Sequence, residues 1–317
     1  MRVIVCMELA RRAEIDTVTR DGAGPGIALG QQHARRQPAP DDLTGKASAE
    51  NFPVALRMLP RRYRGHLMAV YRFARTVDDV GDEAPPEQRQ QLLADLSEDL
   101  ERLYTPPAGP GSEPRDPAVR GLARTVTACA IPAQPFRDLI AANQQDQVVF
   151  RYQTFADLLG YCELSANPVG RIVLHVFGVS TPDRAGLSDC VCSGLQIVEH
   201  LQDVAEDFRA GRIYIPLDDL RSHGCMETDL AGPTASPKLR ELIAAEAAKA
   251  AALISAGSPL VGQLRGPARA AVAGYVAGGR AALAALARAR YDVLAVTAKP
   301  SKGRTAAGLL TALVRGR

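Results

Sequence analysis

The sequence predicts an all-α protein with one domain. From Asn51 onward, apolar residues recur every three or four positions nearly to the end of the chain. No segment alternates apolar and polar residues for long enough to require a sheet, and Ile213–Ile215, the best strand candidate, is short enough to be a loop. Pro- and Gly-rich segments separate the helical stretches, and they predict loops at 84–86, 106–117, 132–135, 178–186 and 224–237.

The two ends of the chain differ from this helical part. Residues 1–47 are rich in Gly, Pro, Arg and Asp without periodicity, which predicts a disordered extension before a domain at 48–300. Residues 301–317 form a basic tail, and the stretch 288–317 carries seven basic side chains against Asp292. With Leu309, Leu310 and Leu313, this end is typical of an interfacial helix on anionic lipid or of a solvated basic terminus. The sequence leaves both readings open.

Composition excludes several classes of protein. The chain has 317 residues with 38 basic and 35 acidic side chains, and a net charge of +3 argues against a dedicated nucleic-acid binder. No apolar run reaches the ~18 residues of a membrane-spanning helix. The six cysteines form no C-x-x-C pair, which favours reduced thiols and a cytoplasmic protein, with peripheral membrane contact if the tail docks. The histidines lack ligand spacing, so His66, His175 and His200 are expected to be structural or surface residues.

Two acidic motifs carry the chemistry. Asp78–Asp82 and Asp203–Asp207 each place aspartates at i and i+4 in a helical segment, so each pair projects from one face. A single acidic run is ordinarily a solvated helix face. Two such faces opposed across a cavity would instead offer the hard oxygen ligands with which Mg²⁺ holds a diphosphate.

Cationic side chains accompany both motifs. Tyr71 and Arg75 share a helix face with the first aspartates, while Arg212 and Tyr214 follow the second motif by about one turn. Interleaved arginines reduce the mutual repulsion of the carboxylates and can bind phosphate oxygens. A dinuclear iron bundle would need Glu-x-x-His pairs, and the chain contains none.

The apolar positions of the two acidic helices separate cleanly from the charged ones. The first helix has a predicted buried stripe of Leu67, Val70, Ala74 and Val77. The second has a stripe running from Leu187 to Phe208, and it is predicted to be one helix that ends before Gly211. The carboxylates lie off that stripe.

With these motifs the chain resembles the squalene/phytoene synthase family. The segments that carry the resemblance are Tyr71–Asp79, Tyr161–Cys162, Ser165–Gly170, Gln202–Asp207 and Gly211–Pro216. The resemblance runs from about Asn51 to Pro300 and implies the isoprenoid synthase fold, a helical bundle around a central cavity. The opening Glu50–Ala55 looks like the hydroxysqualene synthases of the hopanoid pathway.

The resemblance also implies roles for individual residues. Two or three Mg²⁺ ions would be held by Asp78, Asp79, Asp82, Glu199, Asp203 and Asp207. Arg75 and Arg212 would bind the diphosphate and act in catalysis, with Tyr71, Tyr152 and Tyr161 as catalytic aromatic residues. Further substrate contacts would come from Asn51, Phe52, Asn167, Gln202 and Tyr214, and Phe52 is also a candidate to face a carbocation.

Three departures from the family pattern favour a specialised half-reaction over simple head-to-head condensation. Ala49–Phe52 stands where other members usually have Ser-x-Ser-Phe, Glu199 stands where members commonly have Asn, and Gln202 stands where many have Arg. The expected reaction is Mg²⁺-dependent conversion of presqualene diphosphate and water to hydroxysqualene and diphosphate, without NADPH and with a presqualene diphosphate synthase as a candidate partner. The alternatives are a squalene or phytoene synthase that condenses two prenyl diphosphates, and a non-catalytic helical scaffold that binds prenyl diphosphates.

Overall fold

The computed structural model describes residues 59–106, 109 and 111–295. The predictions for residues 1–47 and 301–317, and those for Asn51 and Phe52, lie outside the described residues.

The described chain is helical throughout its regular structure, which confirms the all-α prediction. In chain order the α-helices are α1 Arg61–Glu83, α2 Pro86–Tyr104, α3 Pro117–Ala128, α4 Gln134–Gln145, α5 Phe155–Ser165, α6 Asn167–Val176, α7 Pro182–Gln202, α8 Val204–Arg209, α9 Leu217–Ser222, α10 Pro237–Gly257, α11 Leu260–Gln263 and α12 Gly266–Arg288. A 3₁₀ helix, Glu227–Ala231, lies between α9 and α10. Within these residues the only β-type pairing is an isolated parallel bridge between Arg151 and Ile213.

Side-chain caps fix where several helices begin. Thr154 and Asp157 form a reciprocal capping box at the start of α5, with the Thr154 Oγ1 accepting from the Asp157 amide at 3.1 Å. At the start of α7 the Thr181 side chain accepts from the Arg184 amide, and at the start of α10 the Ser236 side chain accepts from the Leu239 amide. Proline occupies the first turn of α7 and α10, where its missing N–H costs no helical hydrogen bond. The Pro/Gly signals of the sequence therefore mark real helix starts.

Helix α7 lies at the centre of the bundle and packs most extensively against α10, with further contacts to α6 and α12. Gly257 at the end of α10 allows the close approach, because an added Cβ would lie 2.4 Å from the Leu187 carbonyl oxygen. The small side chains of the Ala-rich C-terminal third thus serve close helix packing.

Helix α12 is the one helix of the described chain that is long and apolar enough to cross a membrane by length and composition. In its most apolar window 56% of the helix is buried inside the protein. Its buried positions include Val272, Ala273 and Val276, which pack in the core. Packing in the bundle accounts for this apolar composition.

The structure corrects one prediction about the second acidic segment. The stripe from Leu187 to Phe208 is divided, because α7 ends at Gln202 and α8 begins at Val204. Asp203 lies between them with φ −105° and ψ 12°. Its amide still donates to the Glu199 carbonyl at 2.9 Å, and its own carbonyl accepts from the Asp207 amide at 2.8 Å. The chain therefore bends at the first aspartate of the motif while its i to i+4 spacing is kept.

Candidate active site

The two acidic motifs line the walls of one cavity of about 270 Å³. The first motif reaches it from the C-terminal half of α1, and the second from the α7–α8 junction. The lining residues are Arg75, Asp78, Asp79, Asp82, Glu83, Glu199, His200, Asp203, Glu206, Asp207, Ala210 and Arg212. The spacing of the aspartates predicts that each pair shares one helix face, and the structure brings the two faces to the same cavity.

Asp78 is the deepest carboxylate of the first motif, with 2% of its surface exposed. Asn143 of α4 donates from Nδ2 to Asp78 Oδ1 at 3.2 Å. Burial raises the pKa of Asp78, and the nearby Asp82 carboxylate adds to the rise while the Asn143 hydrogen bond opposes it. Gly81 lets α4 approach this closely, since an added Cβ would lie 2.4 Å from Asn143 Oδ1.

Two arginines connect the carboxylates. Arg75 Nε lies 2.8 Å from Asp79 Oδ1 along α1. Arg212 Nη1 lies 3.4 Å from Asp82 Oδ1, so this guanidinium links the segment after α8 to the wall formed by α1. The Arg212 amide donates to the Asp207 carbonyl at 2.8 Å, with Gly211 at φ 81° making the preceding turn. The turn after the second motif thereby carries Arg212 across the cavity to the first.

His200 is the buried histidine of the second wall, with 5% of its surface exposed. Its Nδ1 lies 3.7 Å from Asp207 Oδ2, and its Nε2 is 3.0 Å from Gln196 Nε2. Its ring stacks on Tyr214, with centroids 3.8 Å apart and 8° between the planes. The sequence predicts a structural or surface residue at this position, and the structure shows that His200 is buried and lines the cavity beside Asp207.

A cluster of buried tyrosines lies directly behind this wall. The rings of Tyr152, Tyr161 and Tyr214 are 5.5–5.7 Å apart. Asp146, the residue after α4, accepts from the Tyr161 hydroxyl at 2.8 Å and from the Tyr214 hydroxyl at 3.3 Å. None of the three tyrosines is among the residues that line the carboxylate cavity, so His200 is the shared element between the two groups.

The charge of the cavity fits divalent cations together with a diphosphate. Its lining holds eight carboxylates against two guanidinium groups, so an anion alone would be repelled. Within the described residues no three Asp, Glu, His or Cys side chains converge into a preformed metal cluster. Mg²⁺ does not require one, because it keeps several waters and is usually bound by one or two carboxylates plus substrate phosphates.

The structure brings together one subset of the predicted site residues in the cavity lining: Arg75, Asp78, Asp79, Asp82, Glu199, Asp203, Asp207 and Arg212. Six others lie outside it: Tyr71, Tyr152, Tyr161, Asn167, Gln202 and Tyr214. All six are buried, and the Asn167 side-chain oxygen accepts from the Ser193 hydroxyl at 2.9 Å. Asn167 thus joins α6 to α7 in the described structure.

Sequence reasoning missed three residues that support the site: Asn143, Asp146 and His200. The first two surround the end of α4, where residues 146–154 form a loop that the sequence did not signal. That loop contains neither Pro nor Gly, and the apolar Val148–Phe150 within it resembles the helical stretches around it. The sequence feature that could have pointed to this part of the site is the acidic Asp146 among the amide side chains of Gln144, Gln145 and Gln147.

The fold and this cavity agree with what comparison with known proteins shows. The chain belongs to the squalene/phytoene synthase family, whose model matches residues 46–304. Among its relatives is the hydroxysqualene synthase of Rhodopseudomonas palustris, 36% identical over 217 residues, covering 68% of this chain and 72% of the relative. The presqualene diphosphate synthase of the same organism is 32% identical over 199 residues, covering 62% of this chain and 68% of the relative.

A solved structure gives the same fold. The squalene synthase HpnC from Alicyclobacillus acidocaldarius superposes with a TM-score of 0.71 at 37% sequence identity, covering 80% of this chain and 97% of that one. The predicted isoprenoid synthase class is thereby confirmed, and the chain is similar to enzymes named for different products: hydroxysqualene, presqualene diphosphate and squalene.

Proposed function

We propose that this protein converts presqualene diphosphate and water to hydroxysqualene and diphosphate in an Mg²⁺-dependent reaction. The observation that carries the proposal is the single cavity lined by both aspartate motifs and bridged by Arg212. The similarity to a hydroxysqualene synthase at 36% identity supports this choice of substrate. Glu199 and Gln202, which replace the Asn and Arg common in the family, also favour it.

The carboxylates that would hold Mg²⁺ are Asp78, Asp82, Asp203 and Asp207, with Asp79 and Glu199 beside them. When bound, Mg²⁺ would supply Lewis-acid stabilisation of the charge on the departing diphosphate. The chain's own contribution is to place Arg75 and Arg212 at the same cavity, where their guanidinium groups bind phosphate oxygens and keep the leaving group in place. C–O cleavage leaves a carbocation, and one water oxygen adds to it with loss of a proton.

The apolar interior next to the cavity has to protect that carbocation from random water. The tyrosine cluster behind the second wall supplies electron-rich rings, and Tyr161 and Tyr214 are each at most 5% exposed. NADPH is not needed, because the product gains an oxygen from water and no hydride is transferred.

A squalene or phytoene synthase that condenses two prenyl diphosphates is the second candidate. The name of the structurally similar squalene synthase HpnC favours it specifically. In that case the same cavity would bind the diphosphate of one farnesyl-type substrate while a second occupied the neighbouring interior. A scaffold without activity is disfavoured, because both aspartate pairs are complete.

The experiment that separates the candidates is incubation of the purified full chain with presqualene diphosphate or with farnesyl diphosphate, followed by mass spectrometry of the products. Each substrate is tested with Mg²⁺, with EDTA, and with and without NADPH. We expect hydroxysqualene from presqualene diphosphate, dependent on Mg²⁺ and indifferent to NADPH, and no product from farnesyl diphosphate.

A presqualene diphosphate synthase added to the farnesyl diphosphate reaction should restore product, since it would supply the missing intermediate. Product formed from farnesyl diphosphate alone would overturn the proposal in favour of the condensing enzyme. No turnover of either substrate with Mg²⁺ would favour the scaffold.

A further inference from the structure

Asp146 occupies an unusual position for a residue that lies outside both acidic motifs. It follows α4 as its C-terminal cap and is 6% exposed. Its carboxylate oxygens each accept one tyrosine hydroxyl, Oδ2 from Tyr161 at 2.8 Å and Oδ1 from Tyr214 at 3.3 Å. Its main-chain carbonyl accepts from Arg212 Nη2 at 3.4 Å. Asp146 therefore contacts Arg212, which lines the cavity, and two tyrosines that lie behind its second wall.

Two chains of contacts lead from Asp146 to the cavity. Through Tyr214 the first reaches His200, stacked at 3.8 Å, and then Asp207, whose Oδ2 lies 3.7 Å from His200 Nδ1. Through Arg212 the second reaches Asp82 at 3.4 Å. The path through Tyr214 ends at Asp207 of the second acidic motif, and the path through Arg212 ends at Asp82 of the first acidic motif.

We propose that Asp146 is a positioning residue for this site, which holds Asp207 through Tyr214 and His200 and holds Arg212 through its main-chain carbonyl. Each tyrosine hydroxyl donates its proton to a different carboxylate oxygen of Asp146. The phenol rings are thereby fixed in one orientation, and the stacked His200 is held against Asp207. This inference rests on the proposed function, because the site has to bind Mg²⁺ together with a diphosphate group.

The substitution that tests the role is Asp146→Asn. The amide keeps the size of the side chain and leaves the main-chain carbonyl for Arg212, but its nitrogen cannot accept a hydroxyl proton. The matched control is Asp138→Asn on the same helix, where Asp138 is 8% exposed and accepts from Gln134 Nε2 at 2.7 Å, away from the tyrosines.

The first readout is binding of inorganic pyrophosphate at increasing Mg²⁺ concentration, measured by calorimetry. We expect D146N to raise the Mg²⁺ concentration for half-maximal binding about 10-fold, the effect typical of losing a group that orients a metal ligand. D138N should bind like the wild type. Because the chain contains no Trp, near-ultraviolet circular dichroism reports its tyrosines, and D146N should change that signal while D138N preserves it.

The second readout is a double-mutant cycle between Asp146→Asn and Tyr214→Phe, which removes only the hydroxyl. If Asp146 acts through Tyr214, the double variant should lose less Mg²⁺–pyrophosphate affinity than the two single variants together. The pair Asp138→Asn and Tyr214→Phe should be additive. A merely structural effect of D146N would also be additive with Tyr214→Phe.

The outcomes separate the two proposals. Failure of the wild-type protein to bind pyrophosphate with Mg²⁺ would overturn the proposed function. Wild-type binding with an unaffected D146N, or with fully additive effects, would overturn only the positioning role of Asp146. If D146N does not fold, the single variants Tyr161→Phe and Tyr214→Phe carry the test, and wild-type Mg²⁺ dependence in both would count against it.

Discussion

At the scale of single residues, the site depends on Asp78 being a buried carboxylate held by Asn143 and surrounded by other acids. Asp78 faces the protein interior because the apolar stripe of α1 packs inward, and Leu67, Val70 and Val77 of that stripe are all buried. The stripe determines which face of α1 packs inward, and the motif follows from it. The inward position of Asp78 on α1 is therefore a consequence of helix amphipathicity.

Replacing Asp78 with Asn should remove turnover without unfolding the protein. The amide is isosteric and can still pair with Asn143, so the fold is retained, but the cavity loses one anionic group. We expect kcat to fall by about 10²–10³-fold, the effect of removing one electrostatic contact to a developing charge. The check is product formation from presqualene diphosphate under saturating Mg²⁺. Asp95→Asn on the exposed face of α2 is the control, and near-wild-type turnover of D78N would contradict the metal-ligand assignment.

Gly81 offers a test of how tightly α1 and α4 are packed at the motif. An alanine Cβ there would lie 2.4 Å from Asn143 Oδ1 and 3.2 Å from its Cγ, so Asn143 would be displaced. We expect Gly81→Ala to lower the free energy of unfolding by about 1–3 kcal/mol, as overpacking does, with reduced activity.

Gly65→Ala on the same helix is its matched control, because a Cβ at position 65 meets nothing within 4 Å. There the better helix propensity of alanine should leave stability equal or higher by up to about 1 kcal/mol. Denaturant unfolding of the two variants gives the comparison. Equal effects of both substitutions would show that the α1–α4 contact is looser than described.

At the scale of elements, the helices around the site are joined by a small charged cluster outside it. Lys249 of α10 lies 2.8 Å from Glu246 Oε1 and 2.8 Å from Asp219 Oδ2 of α9, and its Nζ sits 4.7 Å from the centre of the Phe155 ring at the start of α5. Glu246 is 1% exposed. Three elements thus meet at one ammonium group.

The stability of the protein should depend on pH through Glu246. Burial raises its pKa and the Asp219 carboxylate adds to the rise, while Lys249 opposes it. The folded state therefore binds the proton more tightly than the unfolded state. The free energy of unfolding should decline as the pH rises from the ordinary glutamate value through the raised pKa.

Glu246→Gln should flatten that part of the pH profile, because the amide does not ionise. The measurement is urea unfolding of the wild type and E246Q at a series of pH values. Glu163→Gln, at an exposed position of α5, is the control and should keep the wild-type profile. An unchanged slope in E246Q would assign the pH dependence to other groups.

At the scale of the whole molecule, the end of the helical domain is tied back to the start of α10. Asp292, after α12, accepts from the Thr234 hydroxyl at 2.5 Å and the Ala235 amide at 2.9 Å, and it forms an ion pair with Arg240. The Ala295 amide donates to it at 3.2 Å. Helices α10 and α12 both pack on the central α7, so this junction closes the bundle.

Asp292→Asn should lower the free energy of unfolding by about 1–3 kcal/mol, since the buried donors around residue 292 lose a charged acceptor. Burial opposes ionisation of Asp292, but the hydrogen bonds from Thr234, Ala235 and Ala295 outweigh it and lower its pKa. Its contribution is therefore present above the ordinary aspartate value and is lost as the pH falls through the lowered pKa. Thermal unfolding across acidic pH should show a smaller acid-induced loss in D292N than in the wild type, and parallel curves would contradict this account.

The sequence by itself determined the fold class, the helix faces and both acidic motifs. These features follow from local periodicity, and i, i+4 spacing fixes which side chains share a face whatever the rest of the chain does. The positions of Arg75, Asp78 and Asp82 relative to one another were therefore readable from the chain. The bend at Asp203 was not, because the hydrophobic pattern continues through it.

Only the tertiary structure decided which residues meet across the cavity. Asn143 reaches Asp78 over 65 positions and Arg212 reaches Asp82 over 130, distances along the chain that no local pattern encodes. The same holds for Asp146 and the tyrosines, because their place behind the second wall depends on how α4, α5 and α7 pack. Side-chain periodicity is a local property of the helix, whereas contacts between helices depend on the packing of the whole bundle.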